Sequence, residues 1–338
     1  MSNNVVVLGA TGTVGAYTAV HLKGQGYDVT AAGRRPSDGG FFADYAIPYV
    51  SLNIERPSDF EKLPTQPGQH VLHFAGAMPA RMMGYDPQQY VASIVAGTLN
   101  VLLYAKESNA DRIVFTATRA DTVHLMGQTA PIPADVARSF PRMGDHSVYA
   151  ICKNTAVDLI EHFHYEYGLK RFILRLPTIY AYTPDPFFYV GGVRRIKAYR
   201  YLIERARRGE PIEIWGDPTR EKEIVYVKDF TQIVEKSVEA NVAGGIYNVG
   251  RGAGVSLDDQ IRGIVEVFSP PARRSDVVYR PDKPNAPQFI HDISKTMDEL
   301  GYLPAYDYRA GLVDFKAEME RNRFRKLWGE PVVDIQFS

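Results

Sequence analysis

Tyr149 and Lys153 stand four residues apart in the helical pattern Val148–Tyr167, which puts both side chains on one helix face. An ammonium beside a phenol favours the phenolate and draws the phenol pKa from about 10 toward neutrality. Such a pair can exchange a proton with a substrate hydroxyl or carbonyl at physiological pH. Phe115-Thr116-Ala117-Thr118 closes a β-branched run, where a hydroxyl would face the same crevice. Thr118 is assigned to hold the reacting oxygen, with Thr116 the alternative should the strand end one residue off.

A second constellation, Gly9-Ala10-Thr11-Gly12-Thr13-Val14-Gly15, follows the strand Val5–Leu8 and opens the helix Ala16–Lys23. The glycines permit a tight turn, close backbone approach to a pyrophosphate and close packing of helix on strand. The helix start adds free amides and the positive end of its dipole. Gly9, Thr11, Gly12, Thr13, Val14 and Gly15 are therefore candidate dinucleotide contacts. The second strand, Tyr27–Ala32, runs into Gly33-Arg34-Arg35 with no carboxylate for a ribose 2′-hydroxyl. Two guanidiniums suit a 2′-phosphate, so NADP(H) is the preferred cofactor, with NAD(H) left open.

The elements that must hold these groups alternate. Further strands are expected at Tyr49–Leu52, Val71–Ala75, Arg112–Thr118 and Phe172–Pro177, with a long helix at Pro87–Ser108. Strands alternating with helices predict an α/β class and a doubly wound parallel sheet. The 338 residues exceed one average domain. Positive and negative residues number 39 each, which removes any overall drive toward nucleic acid or an anionic membrane. Absence of a long apolar run argues against a membrane span, and the N-terminus lacks the marks of a signal peptide. The single cysteine, Cys152, excludes an internal disulfide, and the histidines lack metal-ligand spacing, so no metal is expected. Arg194–Arg208 reads as an amphipathic helix with a solvated basic face. Met78 and Arg81, after the fourth strand, read either as a lid over substrate or as a packed loop.

Together these residues resemble the extended branch of the short-chain dehydrogenase/reductase superfamily, in particular the NAD-dependent epimerase/dehydratase family of nucleotide-sugar enzymes. The resemblance extends through His73-Phe74-Ala75-Gly76, Gly97-Thr98-Leu99-Asn100 and Leu174-Arg175-Leu176-Pro177-Thr178-Ile179-Tyr180. It continues through Arg208–Asp217, Glu223–Asp229, Gly245–Gly250, Asp292–Lys295 and Leu300–Pro304. It implies a Rossmann-type doubly wound parallel sheet over residues 1–177, with segments near 223–250 returning to it. A smaller C-terminal α/β substrate lobe would occupy 178–338. It further implies Thr118, Tyr149 and Lys153 as catalytic trio, Lys153 also bonding the nicotinamide ribose. Asn53 and Ile54 would meet adenine, Phe74, Ala75, Gly76 and Thr116 would line the cofactor, and Pro177 would lie beside the nicotinamide. Met78, Arg81, Thr178, Lys222 and Arg280 would face the substrate, and the helices around Gly97–Ser108 and Val148–Tyr167 would pair in a homodimer.

Departures from the family pattern fall at Ile94, at Arg119-Ala120-Asp121 with the loop to Asp145, at Thr178, at Ala181-Tyr182 and at Lys222. At Lys222 related 4-epimerases often carry an arginine for the nucleotide phosphate. The expected activity is a cytoplasmic nucleotide-sugar epimerase acting through a transient keto-sugar. The alternatives are an NADPH-dependent reductase of nucleotide 4-keto-sugars and a non-catalytic dinucleotide sensor.

Overall fold

The computed structural model describes residues 3–128 and 130–332. In chain order the first half runs β1 (Asn4–Leu8), α1 (Thr13–Gly24), β2 (Asp28–Gly33), β3 (Tyr49–Ser51), β4 (His70–His73), α2 (Pro87–Tyr90), α3 (Gly97–Glu107), β5 (Arg112–Thr118), α4 (Asp145–Tyr167) and β6 (Lys170–Leu176). The second half runs β7 (Ile179–Tyr180), β8 (Phe187–Val190), β9 (Val193–Ile196), α5 (Ala198–Arg207), β10 (Ile212–Trp215), β11 (Glu221–Lys222), β12 (Val225–Tyr226), α6 (Val227–Glu239) and β13 (Gly244–Asn248). It closes with β14 (Val255–Ser256), α7 (Leu257–Phe268), β15 (Val277–Arg280), α8 (Ser294–Leu300), α9 (Tyr308–Arg321) and α10 (Arg325–Trp328).

Seven strands form one sheet in the order β13-β6-β5-β4-β1-β2-β3, every neighbouring pair parallel. The chain reverses direction along the sheet at β1, which opens a crevice beyond the carboxyl ends of β1 and β4. β1 shows why both faces are covered. Val5 and Val7 pack into the core that includes α1 and α6, whereas Val6 and Leu8 pack into the one beneath α3 and α4. The expected α/β class and doubly wound parallel sheet are thus found, with smaller two-stranded sheets such as β10-β15 and β11-β14 in the C-terminal half.

Two local expectations are corrected. The long helix at Pro87–Ser108 is divided by a π-helical segment, Val91–Ala96. There the Ser93 hydroxyl donates to the Gln89 carbonyl at 2.6 Å and accepts the Ala77 amide at 3.0 Å, tying the wide turns to the loop after β4. The segment Arg194–Arg208 is not one helix. Val193–Ile196 is a strand of the antiparallel β8-β9 hairpin, and α5 begins only at Ala198. Gly191 and Gly192 turn the hairpin with φ of +54° and +78°, the left-handed conformation such a two-residue turn requires. Arg200 is also buried, donating to the Thr183 carbonyl at 2.6 Å, so the basic face is only partly solvated.

Candidate active site

The glycine turn sits at the sheet's reversal point. Gly9 has φ +86°, and a Cβ there would lie 2.7 Å from the Ala75 amide nitrogen. The amides of Gly9 and Ala10 both donate to the Ala32 carbonyl at 2.9 Å, folding the turn across the end of β2. A Cβ on Gly15 would fall 2.3 Å from the Gly9 carbonyl oxygen, so helix and turn are in backbone contact. Gly12 is the N-cap of α1, Thr13 and Val14 begin it, and its first turn carries no acid. A pyrophosphate brought here meets amides lacking helical acceptors and no repelling carboxylate. The turn therefore fits a dinucleotide.

The glycine turn and the segment after β2 are both tied to α10. The Trp328 indole donates to the Thr11 carbonyl at 3.0 Å, and Arg35 donates to the Leu327 carbonyl. Arg34 is exposed and, among the described residues, forms no ion pair, so the two arginines are not equivalent. Tyr49 fixes the turn before them, donating within reach of the Gly33 and Arg35 carbonyls at 3.0 and 2.7 Å. The Asn53 amide donates to Asp59 at 2.8 Å and holds that carboxyl below its ordinary range. The Ile54 carbonyl accepts Asn100 Nδ2 at 2.8 Å, and Gly97 leaves room for the Ile54 side chain. Phe74 packs edge-on against Phe230 at 5.9 Å between ring centroids, while Gly76 adopts φ +145° against Ile94.

Tyr149, Lys153, Thr116 and Thr118 come together where β5 ends beside α4. Lys153 is buried, its Nζ donating to the Thr116 carbonyl at 2.8 Å and lying 4.4 Å from the Phe115 ring centroid. Burial lowers its pKa to about 7. The Thr118 hydroxyl lies near enough to the Tyr149 phenol to favour its phenolate, and Tyr90 packs edge-on against the Tyr149 ring at 6.0 Å. The Thr118 oxygen also accepts the Ala120 amide at 3.1 Å. One expectation fails here: the Tyr149 phenol is pushed up to about 12, not drawn toward neutrality. Burial dominates, Thr118 offsets only part of it, and the lysine's proton is directed at the Thr116 carbonyl. His73 lies beneath, bonded to Thr98 Oγ1 at 2.9 Å and lowered to about 3 by burial and then by the Lys153 charge.

The expected substrate-facing residues are more dispersed. Met78 is exposed, and Arg81 lies 4.0 Å from Asp185, which also meets Arg194 at 3.6 Å. A Cβ on Gly192 would come 2.6 Å from the Met83 carbonyl, so this segment packs against the β8-β9 hairpin. Thr178 is exposed and Pro177 buried. Arg280, on β15, is engaged by Glu213 at 3.6 Å. Lys222 is half-buried on β11 beside Phe289.

Sequence reading passed over two buried networks. Arg175 Nε meets Asp121 at 3.1 Å while its Nη1 donates to the Ala134 carbonyl at 2.8 Å and to Asn248 Oδ1 at 3.1 Å. This pins the loop after Thr118 to the sheet. An arginine between two leucines near the end of a buried strand was the available signal, because it demands a nearby carboxylate. Glu223 accepts His291 Nδ1 at 2.6 Å and the amides of Arg251 and Gly252 at 2.6 and 2.8 Å. Trp328 had no local signal at all, since its partner is 317 residues away. Among the described residues no cluster could hold a metal, and no helix is long and apolar enough to cross a membrane.

A model of the NAD dependent epimerase/dehydratase family matches residues 5–250. The chain is 23% identical to UDP-glucuronate 4-epimerase 6 of Arabidopsis thaliana, over 92% of this chain and 70% of that one. Its fold is similar to UDP-glucose 4-epimerase of Thermotoga maritima with UDP-glucose, at a TM-score of 0.73 and 22% identity, covering 94% of this chain and 100% of the other. It is likewise similar to UDP-glucuronic acid 4-epimerase of Bacillus cereus in complex with NAD, at 0.69 and 20%, covering 94% and 100%.

Proposed function

The chain belongs to the NAD dependent epimerase/dehydratase family, and within it we propose a nucleotide-sugar 4-epimerase that works through a transient 4-keto-sugar. The observation that carries this reading is the convergence of Thr118, at the end of β5, with Tyr149 and Lys153, one turn apart on α4. Thr118 holds the reacting sugar oxygen, and Tyr149 acts as the general acid/base. Burial alone keeps its phenol protonated, so the positive charge of a bound nicotinamide would have to favour the phenolate before Tyr149 takes the hydroxyl proton and later returns it. Lys153, held at the Thr116 carbonyl, would bond the cofactor ribose. A nicotinamide dinucleotide would be held by Gly9, Thr11, Gly12, Thr13, Val14 and Gly15, with Asn53 and Ile54 at adenine. Phe74, Ala75, Gly76, Thr116 and Pro177 would line its path. When bound, it supplies reversible hydride acceptance. Arg34 is the guanidinium free to meet a 2′-phosphate, because Arg35 donates to the Leu327 carbonyl.

The same reading divides the chain into a cofactor domain, 1–177 with returning segments near 223–250, and a substrate lobe over the remainder of 178–338. Met78, Arg81, Thr178, Lys222 and Arg280 border the nucleotide sugar. A homodimer would form through α3 and α4, which expose Leu99, Leu103 and Ile151. A cytoplasmic setting suits an unpaired Cys152.

The test is to denature the purified protein and identify released nucleotide by mass and absorbance. Stoichiometric NAD⁺ or NADP⁺ supports an epimerase, which regenerates its cofactor within each turnover. Protein that consumes one NADPH per keto-sugar is a reductase, and protein that binds neither dinucleotide refutes the catalytic reading.

A further inference from the structure

Helix α10 is a single turn, too short to persist on its own, so its contacts are what hold it. Asn322 ends α9 in the left-handed conformation, φ +40°, and turns the chain back. Phe324, Leu327 and Trp328 then share the inner face, leaving Arg325 and Lys326 exposed. Phe324 stacks on Trp328 at 4.4 Å between centroids, and the two rings meet Tyr17 of α1 at 4.5 and 6.2 Å. The arm is rooted elsewhere, in the C-terminal half. There the α9 carboxylate Asp314 accepts Tyr226 at 2.6 Å, and Tyr308 donates to the Gln260 carbonyl at 3.0 Å.

The tip of this arm grips backbone on both sides of the dinucleotide turn. The Trp328 indole donates to the Thr11 carbonyl at 3.0 Å. That carbonyl and the Gly12 N–H belong to one planar peptide unit, and the Gly12 N–H donates to the Gly9 carbonyl at 2.9 Å. The unit is held at both ends, so its plane is fixed. Thr13, Val14 and Gly15 follow it as the first residues of α1, and their amides inherit its direction. On the other side Arg35 donates to the Leu327 carbonyl, and Lys326 meets Asp44 at 2.6 Å. A Cβ on Gly39 would lie 2.6 Å from the Lys326 carbonyl oxygen, so the segment after β2 is also in backbone contact with α10.

We propose that α10 is a clamp on the bound dinucleotide, in which Trp328 and Arg35 are positioning residues. They hold the glycine turn in its binding form and so set how slowly the cofactor leaves. This rests on the reading of that turn as the dinucleotide site. Slow release suits a cofactor that is regenerated within each turnover. Arg35 serves both dinucleotides alike, because its donor is spent on α10 rather than on a 2′-phosphate.

The experiment loads the full-length protein with NADH or NADPH and chases it with a large excess of the oxidised form. Stopped-flow fluorescence of the reduced nicotinamide gives the release rate. Trp328→Phe keeps the ring stack and removes the donor, and Arg35→Met keeps an apolar stem and removes the guanidinium. Each should speed release about twofold to tenfold, and the double variant about tenfold to a hundredfold, with association little changed. The factor for Arg35→Met should be the same for NADH and NADPH. Arg325→Met, on the exposed face of the same helix, should leave release unchanged. Only loaded, folded molecules contribute to the signal, so a loss of stability alone does not move it. Unchanged release in both single variants overturns the proposal, as does equal acceleration by Arg325→Met. An Arg35→Met effect confined to NADPH would return that guanidinium to the 2′-phosphate and overturn its part in the clamp. A wild type that binds neither dinucleotide refutes the cofactor reading itself, and the clamp with it.

Discussion

Helix α1 contains two glycines whose replacement by alanine should act in opposite directions. A Cβ at Gly15 would sit 2.3 Å from the Gly9 carbonyl oxygen and 2.9 Å from both the Gly9 carbonyl carbon and Ala10 Cα. These are backbone atoms, so relief requires the turn and the helix to separate by about 1 Å. Alanine gains about 1 kcal/mol of helix propensity, against about 1–3 kcal/mol for overpacking. Net destabilisation is therefore at most about 2 kcal/mol, but displacement of the amides proposed to hold the pyrophosphate should weaken dinucleotide binding about tenfold to a hundredfold. Gly24, at the other end of the same helix, has no atom within 4 Å of its would-be Cβ. Gly24→Ala should stabilise the fold by about 0.5–1 kcal/mol and leave dinucleotide affinity unchanged. Urea denaturation and calorimetric titration with NAD⁺ and NADPH read both quantities. A Gly15→Ala protein that binds as tightly as Gly24→Ala would refute the assignment of this turn to the dinucleotide.

Lys153 gives the pH dependence a sign. Its folded pKa of about 7 lies below its unfolded value of about 10.4, so between them the unfolded chain binds more protons and stability rises with pH. Lys153→Met should remove that rise, so its stability relative to wild type is most favourable at pH 6 and declines by pH 9.5 in urea melts. Arg175→Met would leave the Asp121 carboxylate buried without its partner, an expected loss of about 3–5 kcal/mol in the same assay. Trp328→Phe keeps the ring stacked on Phe324, 4.4 Å away, but removes the bond to the Thr11 carbonyl. Weakening of NAD⁺ binding by about twofold to tenfold is expected from calorimetry, and unchanged binding would detach the C-terminal helix from the cofactor loop.

Most of the sheet was legible because Val5–Leu8, Arg112–Thr118 and Phe172–Leu176 are short β-rich runs separated by helix-length segments. The β8-β9 hairpin was hidden by a basic run of helical spacing, although Val190-Gly191-Gly192-Val193 spelled its turn. The spacing of Tyr149 and Lys153 identified a pair on one helix face, but not its electrostatics. Spacing reports proximity, whereas the rise of the Tyr149 pKa comes from burial, which only the tertiary structure determines. Partners such as Arg175 with Asp121, or Trp328 with Thr11, lie 54 and 317 residues apart and carry no local pattern. Arg119 read only as a departure from a family motif, and its seat on the Phe289 ring, far along the chain, had no local pattern.

The most direct measurement follows the anomeric proton of UDP-glucuronate and UDP-glucose by NMR, with purified protein and no added reductant. The account predicts conversion of at least one sugar to a mixture with its 4-epimer, reached from either direction. Tyr149→Phe, still folded and still binding dinucleotide, should be slower by about 10²–10⁴-fold. An unchanged rate in that variant, or no epimer from either sugar with dinucleotide bound, would contradict it.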